Sequence, residues 1–196
     1  RGSRADRLVP DPVIGRQRVV RLYLALAAAC GFGYLITGLG ARSSLIHALT
    51  TVSTGGFSDR ADSLVSAPGG TKVVATVFML IGGVSFFALF WLLRGNHRRF
   101  VRSPELRIYL GIIGVVTLSL LREVDGLSVG DALFTAASAS STTGLAGTEW
   151  TGFPSGALAL LLVAVATGAM GASAGSGLRV IRAWLLCLFA AREIRR

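Results

Sequence analysis

Long apolar runs separated by arginines are the feature of this sequence that most constrains its fold. The runs at 19–38, 73–93, 106–121 and 157–170 approach or reach the roughly 20 residues that a helix needs to cross lipid. The last run stops in a Gly/Ser segment and resumes at 178–191. Charged residues make up 15% of the chain, whereas a soluble domain has about 25%. These runs predict an all-α polytopic membrane protein, as a piece of a longer chain.

The positive charge is concentrated between the apolar runs. The net charge is +10, and 16 of the 20 Lys and Arg residues lie in three clusters, at 1–21, 94–107 and 179–196. This alternation is the positive-inside pattern. It predicts that both termini and the 94–107 linker are cytoplasmic, with 39–72 and 122–156 outside. A basic RNA-binding face is the alternative, but these arginines flank apolar spans and no aromatic stacking platform accompanies them. We therefore expect no nucleic-acid partner.

Two short loops rich in hydroxyl groups and glycine lie between the apolar runs. Ser53-Thr54-Gly55-Gly56-Phe57 follows an apolar segment at 44–52, and 89 residues later Thr142-Thr143-Gly144-Leu145 follows a similar segment at 132–140. Both segments are too short to cross a bilayer, so they predict re-entrant helices. Irregular backbone at membrane depth is tolerated only inside protein or along a wet cavity. The pattern therefore indicates two pore loops of one ion pathway.

The chain divides into two units with the same order of span, short helix, glycine loop and span. Parallel repeats of this kind are common in transport proteins. The first repeat is predicted at 17–94, with a span at 17–38, a pore helix at 43–52, a filter at 53–57 and a span at 73–93. The second repeat is predicted at 106–192, with a span at 106–121, a pore helix at 129–140, a filter at 141–145 and a broken span at 155–192. Cytoplasmic segments are predicted before, between and after the repeats, at 1–16, 95–105 and 193–196.

A segment with almost no side-chain bulk interrupts the last span at 168–177. It holds four glycines in ten residues, each of which costs about 1 kcal/mol relative to alanine in a helix. The composition predicts a helix broken at mid-membrane depth, which would suit a gate beneath the pore loops. A tight helix–helix contact through small residues is the alternative.

Four segments together resemble one known family. The segments 46–58, 78–86, 141–146 and 171–182 are similar, in this order, to a pore loop, a membrane helix, the next pore loop and the intramembrane gating loop of the Trk/Ktr/HKT superfamily of potassium transporters. This resemblance implies two membrane–pore-loop–membrane repeats, the second and third, of a four-repeat potassium-channel-like architecture. It also implies that this stretch cannot close a pore by itself.

The resemblance implies which residues hold the ion. Backbone carbonyls of the two filters would replace the hydration shell of K⁺, which would be the transported ion, with no cofactor involved. The implied filter residues are Val52, Ser53, Thr54, Gly55, Gly56, Thr142, Thr143, Gly144 and Leu145. The implied gating residues are Gly171, Ala172, Ser173, Ala174, Gly175, Ser176, Gly177 and Arg179.

The resemblance also implies a cellular setting. It predicts potassium uptake across the bacterial inner membrane by a multi-pass protein in contact with lipid. The full subunit would be a homodimer, and a cytoplasmic nucleotide-binding regulatory subunit would attach to it. The chain would not be an enzyme.

Other interpretations of single residues stay open at this point. Gly171-Ala172-Ser173-Ala174 superficially resembles the serine loop of rhomboid-type intramembrane proteases, for which His47 could serve as the base. A non-transporting membrane scaffold is a third class. His47 could be a sensor or a packing residue, and Arg179 and Arg182 could be gate latches or interfacial anchors.

Overall fold

The part of the chain that the structure describes is entirely helical. The computed structural model describes residues 12–194, with side chains from 17 to 193 except at 187. Predictions for 1–11 and 195–196, which include most of the N-terminal connector, lie outside the described residues. Within the described range the helices are α1 Pro12–Ile36, α2 Ala41–Val52, α3 Gly69–Gly82, α4 Phe86–Leu93, α5 His97–Val101, α6 Pro104–Glu123, α7 Val129–Ser140, α8 Ser155–Thr167 and α9 Val180–Ile194.

Two of these helices are long and apolar enough to cross a membrane. They are Gln17–Ile36 within α1 and the whole of α6, and only 17% and 33% of these windows are buried within the protein. Most of their surface is therefore left for lipid. α1 begins earlier than predicted, inside the expected non-helical connector, because proline is well suited to the first position of a helix. The predicted linker at 95–105 likewise contains the short helix α5 and the start of α6.

The predicted span at 73–93 is broken in the structure. α3 and α4 are separate helices that meet at an angle of 104° across a break at 83–85. A Cβ at Gly83 would lie 2.1 Å from Oη of Tyr109 on α6, so a side chain there has no room. The phenol of Tyr109 comes this close because the chain turns away at Gly83. Adjacent small residues such as Gly82-Gly83 favour a close helix contact, and the structure has both the contact and a break here.

The second repeat is broken at the corresponding place. α8 ends at Thr167 and α9 begins at Val180, and Gly168 and Gly177 between them have φ of +71° and +92°. The intervening segment folds back on itself through backbone hydrogen bonds, with Ala169 and Val180 paired at 3.1 Å. Each repeat therefore consists of one continuous helix, one short helix and one broken helix.

The buried side chains form two clusters, and one of them joins the repeats. The cluster of the first repeat contains Cys30, Tyr34, Val52 and Met79, and it also takes in Phe134, Ala137 and Leu145 from the second repeat. The other cluster belongs mainly to α4, α6, α7 and α8. Because the short helix α7 contributes to both clusters, the two repeats pack as one body around it.

Candidate pore loops and the broken segment beneath them

The two glycine loops have the same backbone conformation. Each starts after a short helix with a serine near φ −80°, Ser53 or Ser141, followed by a threonine with positive φ, +55° at Thr54 and +60° at Thr142. Their turn hydrogen bonds correspond one to one. The pairs are Ser53 N–Leu49 O with Ser141 N–Ala137 O, Thr54 N–Thr51 O with Thr142 N–Ala139 O, and Gly55 N–Thr50 O with Thr143 N–Ser138 O.

These matched bonds set the register of the repeat at 88 residues, so the offset of 89 inferred from the sequence is wrong. Gly56, with φ +67°, corresponds to Gly144, with φ +81°. Gly55 corresponds to Thr143. The position that requires glycine in the first loop is therefore Gly56, because residues with a Cβ rarely adopt such positive φ values.

The two loops touch each other. A Cβ built on Gly56 would lie 1.9 Å from the carbonyl oxygen of Thr143, so these backbones are in direct contact. Beyond the loops, the backbone N–H of Leu64 donates to the carbonyl of Ala146 at 2.9 Å. Leu145 is fully buried in the cluster of the first repeat. The second loop is thus built against the first.

The broken segment of the second repeat lies against both loops. Thr54 Oγ1 donates to the carbonyl of Ala174 at 3.1 Å. Thr142, at the equivalent position of the other loop, accepts at Oγ1 from the backbone N–H of Ser176 at 2.9 Å. A Cβ on Gly175 would lie 2.8 Å from the carbonyl oxygen of Ser141. Residues 174–176 are therefore in contact with the same turn of both pore loops.

The break between α3 and α4 holds the other side of this segment. Three backbone hydrogen bonds connect them: Met170 N to Gly83 O at 3.0 Å, Ala174 N to Gly82 O at 3.1 Å, and Phe86 N to Ala172 O at 2.9 Å. At the break, backbone N–H and C=O groups that would form hydrogen bonds within a continuous helix are free to bond to another segment. The broken helix of one repeat thus anchors the broken segment of the other.

Glu105 also holds the segment, and the sequence did not identify it. Its Oε1 accepts from the backbone N–H of Gly171 at 2.5 Å. Glu105 lies in the first turn of α6, one turn before Tyr109, whose buried Oη has no hydrogen-bond partner among the described residues. The Ser-Pro-Glu sequence signalled a helix start, and a helix-start glutamate is ordinarily accounted for by the helix dipole. Nothing in the sequence indicated a second role.

The predicted gating residues divide into two groups in the structure. Those at 171–176 make the contacts described above. Arg179 lies beyond them, exposed and with φ +70°. Within the described part of the chain, neither Arg179 nor Arg182 takes part in an ion pair. The latch role considered for these two arginines therefore remains a hypothesis without a contact in this structure.

His47 is buried in the first short helix and holds the segment that follows the first loop. Its Nδ1 lies 2.9 Å from the carbonyl oxygen of Ser43, which can only accept, so Nδ1 carries the proton. Nε2 then accepts from the hydroxyl of Ser58 at 3.1 Å. A hydrogen bond from Ser43 lowers the pKa of the neighbouring Asp59, with partial desolvation opposing it. His47 thus has a packing and hydrogen-bonding role here.

The structure does not bring together the pair required by the protease interpretation. Both ring nitrogens of His47 are occupied near Ser43 and Ser58. The hydroxyl of Ser173 donates to the carbonyl of Met170 at 2.6 Å. A nucleophile and its base must lie within hydrogen-bond reach of each other, and these two residues have other partners.

An ion pair ties the repeats together at the ends of their helices. Nζ of Lys72, in the first turn of α3, lies 3.0 Å from Oδ1 of Asp131 in the first turn of α7. Ser128 caps α7 and donates to the other carboxylate oxygen at 2.7 Å. Partial burial raises the pKa of Asp131, but the hydrogen bonds from Ser128 and Lys72 and the charge of Lys72 outweigh it and lower the pKa.

We expect the variants Lys72→Met and Asp131→Asn to be coupled in a double-mutant cycle. The side chains are 22% and 28% exposed, and solvent screening limits such a pair to about 0.5–1 kcal/mol. Because the folded-state pKa of Asp131 is lowered, this coupling is fully present above the unfolded-state pKa and is lost as the pH falls through the folded-state value. Thermal unfolding in detergent at neutral and strongly acidic pH measures it. Additive effects at neutral pH would contradict the pairing.

Comparison with known proteins finds relatives of this chain among potassium uptake proteins. It is 30% identical over 187 residues to the Trk system potassium uptake protein TrkH of Vibrio parahaemolyticus, covering 89% of this chain and 39% of that protein. It is 28% identical over 186 residues to TrkH of Escherichia coli K12, covering 89% and 38%. The crystal structure of the potassium transporter TrkH from Vibrio parahaemolyticus matches with a TM-score of 0.87 at 28% identity, covering 96% of this chain and 43% of that one. No family model matches.

The helical fold and both glycine loops thus have counterparts among ion transporters. The chain is similar over 89% of its length to TrkH potassium uptake proteins, which confirms the resemblance to the Trk/Ktr/HKT superfamily. It spans about two fifths of the length of the relatives it matches. These relatives are named as transport proteins and not as enzymes, which confirms the predicted class and the predicted fold.

Proposed function

We propose that this chain forms half of a potassium-selective pore within a longer uptake subunit. The observation that carries the proposal is the pair of glycine loops with one backbone conformation, in contact with each other at Gly56 and Thr143. Related proteins are named as potassium uptake proteins. Carbonyl oxygens suit a hard cation that must also be released, because they supply ligands without a formal charge.

In this proposal the filter is formed by 52–56 and 142–145. The C-terminal ends of α2 and α7 precede the loops directly, and the negative end of a helix dipole favours a cation beyond it. Ser53 and Ser141 are right-handed, and the threonines that follow them, Thr54 and Thr142, have positive φ. Alternation of right- and left-handed residues turns successive peptide groups to the same side of the chain. Gly56 and Gly144 repeat the positive φ two residues later. A carbonyl-lined path requires successive carbonyl oxygens to point to one side.

Residues 171–177 act as the gate in this proposal. Their hydrogen bonds to Thr54 and Thr142 reach the same position in each filter. Three backbone N–H or C=O groups of this segment pair with the α3–α4 break or with Glu105, so the segment has a defined closed position. Opening would require these bonds to break together.

The rest of the pore comes from parts of the subunit outside this chain. Phe57 corresponds to Leu145, yet Phe57 is 75% exposed while Leu145 is fully buried by the preceding repeat. Leu45 and Leu49 on α2 are likewise 62% and 45% exposed. A preceding repeat would cover them as the first repeat covers α7. A homodimer of the complete subunit in the bacterial inner membrane, with a cytoplasmic nucleotide-binding regulatory subunit, completes the proposal on the basis of the family.

Rescue of a bacterium that lacks potassium uptake tests this function. We expect the complete gene to restore growth at low potassium and to transport K⁺ in preference to Na⁺. The variant Gly144→Ser should lower this preference, because φ +81° is strained for serine although no atom lies within 4 Å of the new Cβ. Gly152→Ser, also in open space but without positive φ, is the control. Unchanged selectivity in Gly144→Ser would count against the filter assignment.

A further inference from the structure

We propose that the corner formed by α4, α5 and α6 binds one anionic phospholipid. The three helices and their connections form an open surface cavity of about 500 Å³ that is lined by Trp91, Asn96, Arg98, Arg99, Arg102 and Ser103. This corner is distant in the chain from the two pore loops, and its argument does not depend on potassium transport.

The cavity carries positive charge that is not neutralised by any ion pair within the described residues. None of the ion pairs between residues that the structure describes involves Arg98, Arg99 or Arg102. The nearest carboxylate along the chain, Glu105, is bound to the backbone of Gly171. Guanidinium groups bind phosphate oxygens through paired, charge-assisted hydrogen bonds. A phosphate group is therefore the ligand that this charge distribution fits.

One arginine is held in place by an aromatic ring. The guanidinium carbon of Arg99 lies 4.4 Å from the ring centroid of Trp91 on α4, within the range of a cation–π interaction. The side chain of Asn96 caps α5 by accepting from the backbone N–H of Arg99. These contacts reduce the entropy that Arg99 would lose when it binds an anion.

A second, apolar groove of about 310 Å³ is lined by residues of α1 and α3 together with α4, α5 and α6. The residues that line it include Leu92, Leu93, Phe100, Leu106 and Leu110. No residue lines both, but two consecutive pairs, Trp91–Leu92 on α4 and Arg99–Phe100 on α5, contribute one residue to each. A groove with almost no polar atoms suits an acyl chain, whereas inorganic phosphate or an acidic protein segment would leave it empty.

The corner also lies where lipid headgroups are found. Its last residues come directly before α6, which is long and apolar enough to cross a membrane from its first residue, Pro104. Leu93 and Val101 beside the arginines are 68% and 61% exposed, which is expected of side chains that face lipid. Basic pockets at the ends of membrane helices bind anionic headgroups. Charge, groove and position together select a phospholipid with a net negative headgroup.

Native mass spectrometry of the complete, delipidated subunit tests this proposal. Phosphatidylglycerol and phosphatidylcholine with identical acyl chains are titrated separately, and we expect phosphatidylglycerol to bind the more tightly. The double variant Arg98→Gln/Arg102→Gln should weaken phosphatidylglycerol binding about 30-fold and leave phosphatidylcholine binding unchanged. Arg42→Gln/Arg122→Gln, which removes two exposed arginines elsewhere, should have no effect. All four arginines are exposed, so size-exclusion elution should stay that of the wild type.

Three outcomes would overturn the proposal. One is equal binding of the two lipids by the wild-type subunit, a comparison that depends on no variant. Another is displacement of phosphatidylglycerol by excess inorganic phosphate, which would indicate an anion site without a lipid. The third is loss of binding in the control variant as large as in Arg98→Gln/Arg102→Gln, which would indicate general charge attraction. None of these measurements requires the subunit to transport potassium.

Discussion

Replacing Gly56 with alanine is expected to abolish potassium uptake by the complete subunit. The new Cβ would lie 1.9 Å from the carbonyl oxygen of Thr143, a distance at which one of the two pore loops must move. The residue also has φ +67°, which costs a residue with a Cβ about 1–2 kcal/mol. Both effects act on the backbone that lines the proposed ion path. Uptake of K⁺ or Rb⁺ into cells measures the loss.

The equivalent glycine of the other repeat provides a matched control. Gly144 has φ +81°, but a Cβ there would meet no atom within 4 Å. Gly144→Ala therefore carries the conformational strain without the collision, and we expect it to keep measurable uptake with lowered selectivity. Fluorescence-detected size exclusion shows whether both variants reach the membrane folded. Equal uptake by the two variants would contradict the contact between the loops.

Glu105→Ala is expected to raise the potassium leak of the resting transporter about tenfold or more. The variant removes the acceptor for the backbone N–H of Gly171, which lies 2.5 Å from Oε1. A hydrogen bond to a charged group contributes about 1.5–3 kcal/mol, and its loss favours any state in which the segment at 171–177 has moved away from Thr54 and Thr142. Resting conductance in proteoliposomes measures the leak.

Two further variants separate this contact from a general loss of charge. Glu105→Gln keeps an acceptor oxygen and should leak less than Glu105→Ala. Glu149→Ala removes an exposed carboxylate that makes no contact with the segment, and we expect the wild-type leak. Thiol labelling of Ala172→Cys reports movement of the segment without transport. If Glu105→Ala changes neither leak nor labelling, Glu105 does not hold the gate.

The sequence was sufficient to predict the helical class and the resemblance to Trk-type potassium uptake proteins. Apolar length and arginine placement are properties of single segments, so they can be counted without knowing the fold. Relatives confirm these inferences. The predicted filter and gating residues remain predictions, although the structure brings both sets into contact. The short helices lie at Ala41–Val52 and Val129–Ser140, near the expected segments.

Features that depend on contacts between segments were missed. Gly82 and Gly83 indicated close packing, but the bend of 104° depends on Tyr109 and on partners in the second repeat. The offset of 88 residues between the repeats could not be read from the sequence, because either Gly55 or Gly56 could correspond to Gly144. The turn hydrogen bonds of the structure identify Gly56 as the counterpart. The bond from Glu105 spans 66 residues of sequence. No local pattern encodes such a distance.

The bonds between the α3–α4 break and residues 170–174 are all made by the main chain. Peptide groups are present whatever the amino acid, so substitutions at Ala172 or Ser173 leave this docking geometry available. Such substitutions would instead change how readily residues 170–174 separate from the α3–α4 break, because they change side-chain volume and backbone stiffness. Under the proposed gating role, sequence changes at these positions would alter the opening equilibrium and leave the docked conformation unchanged.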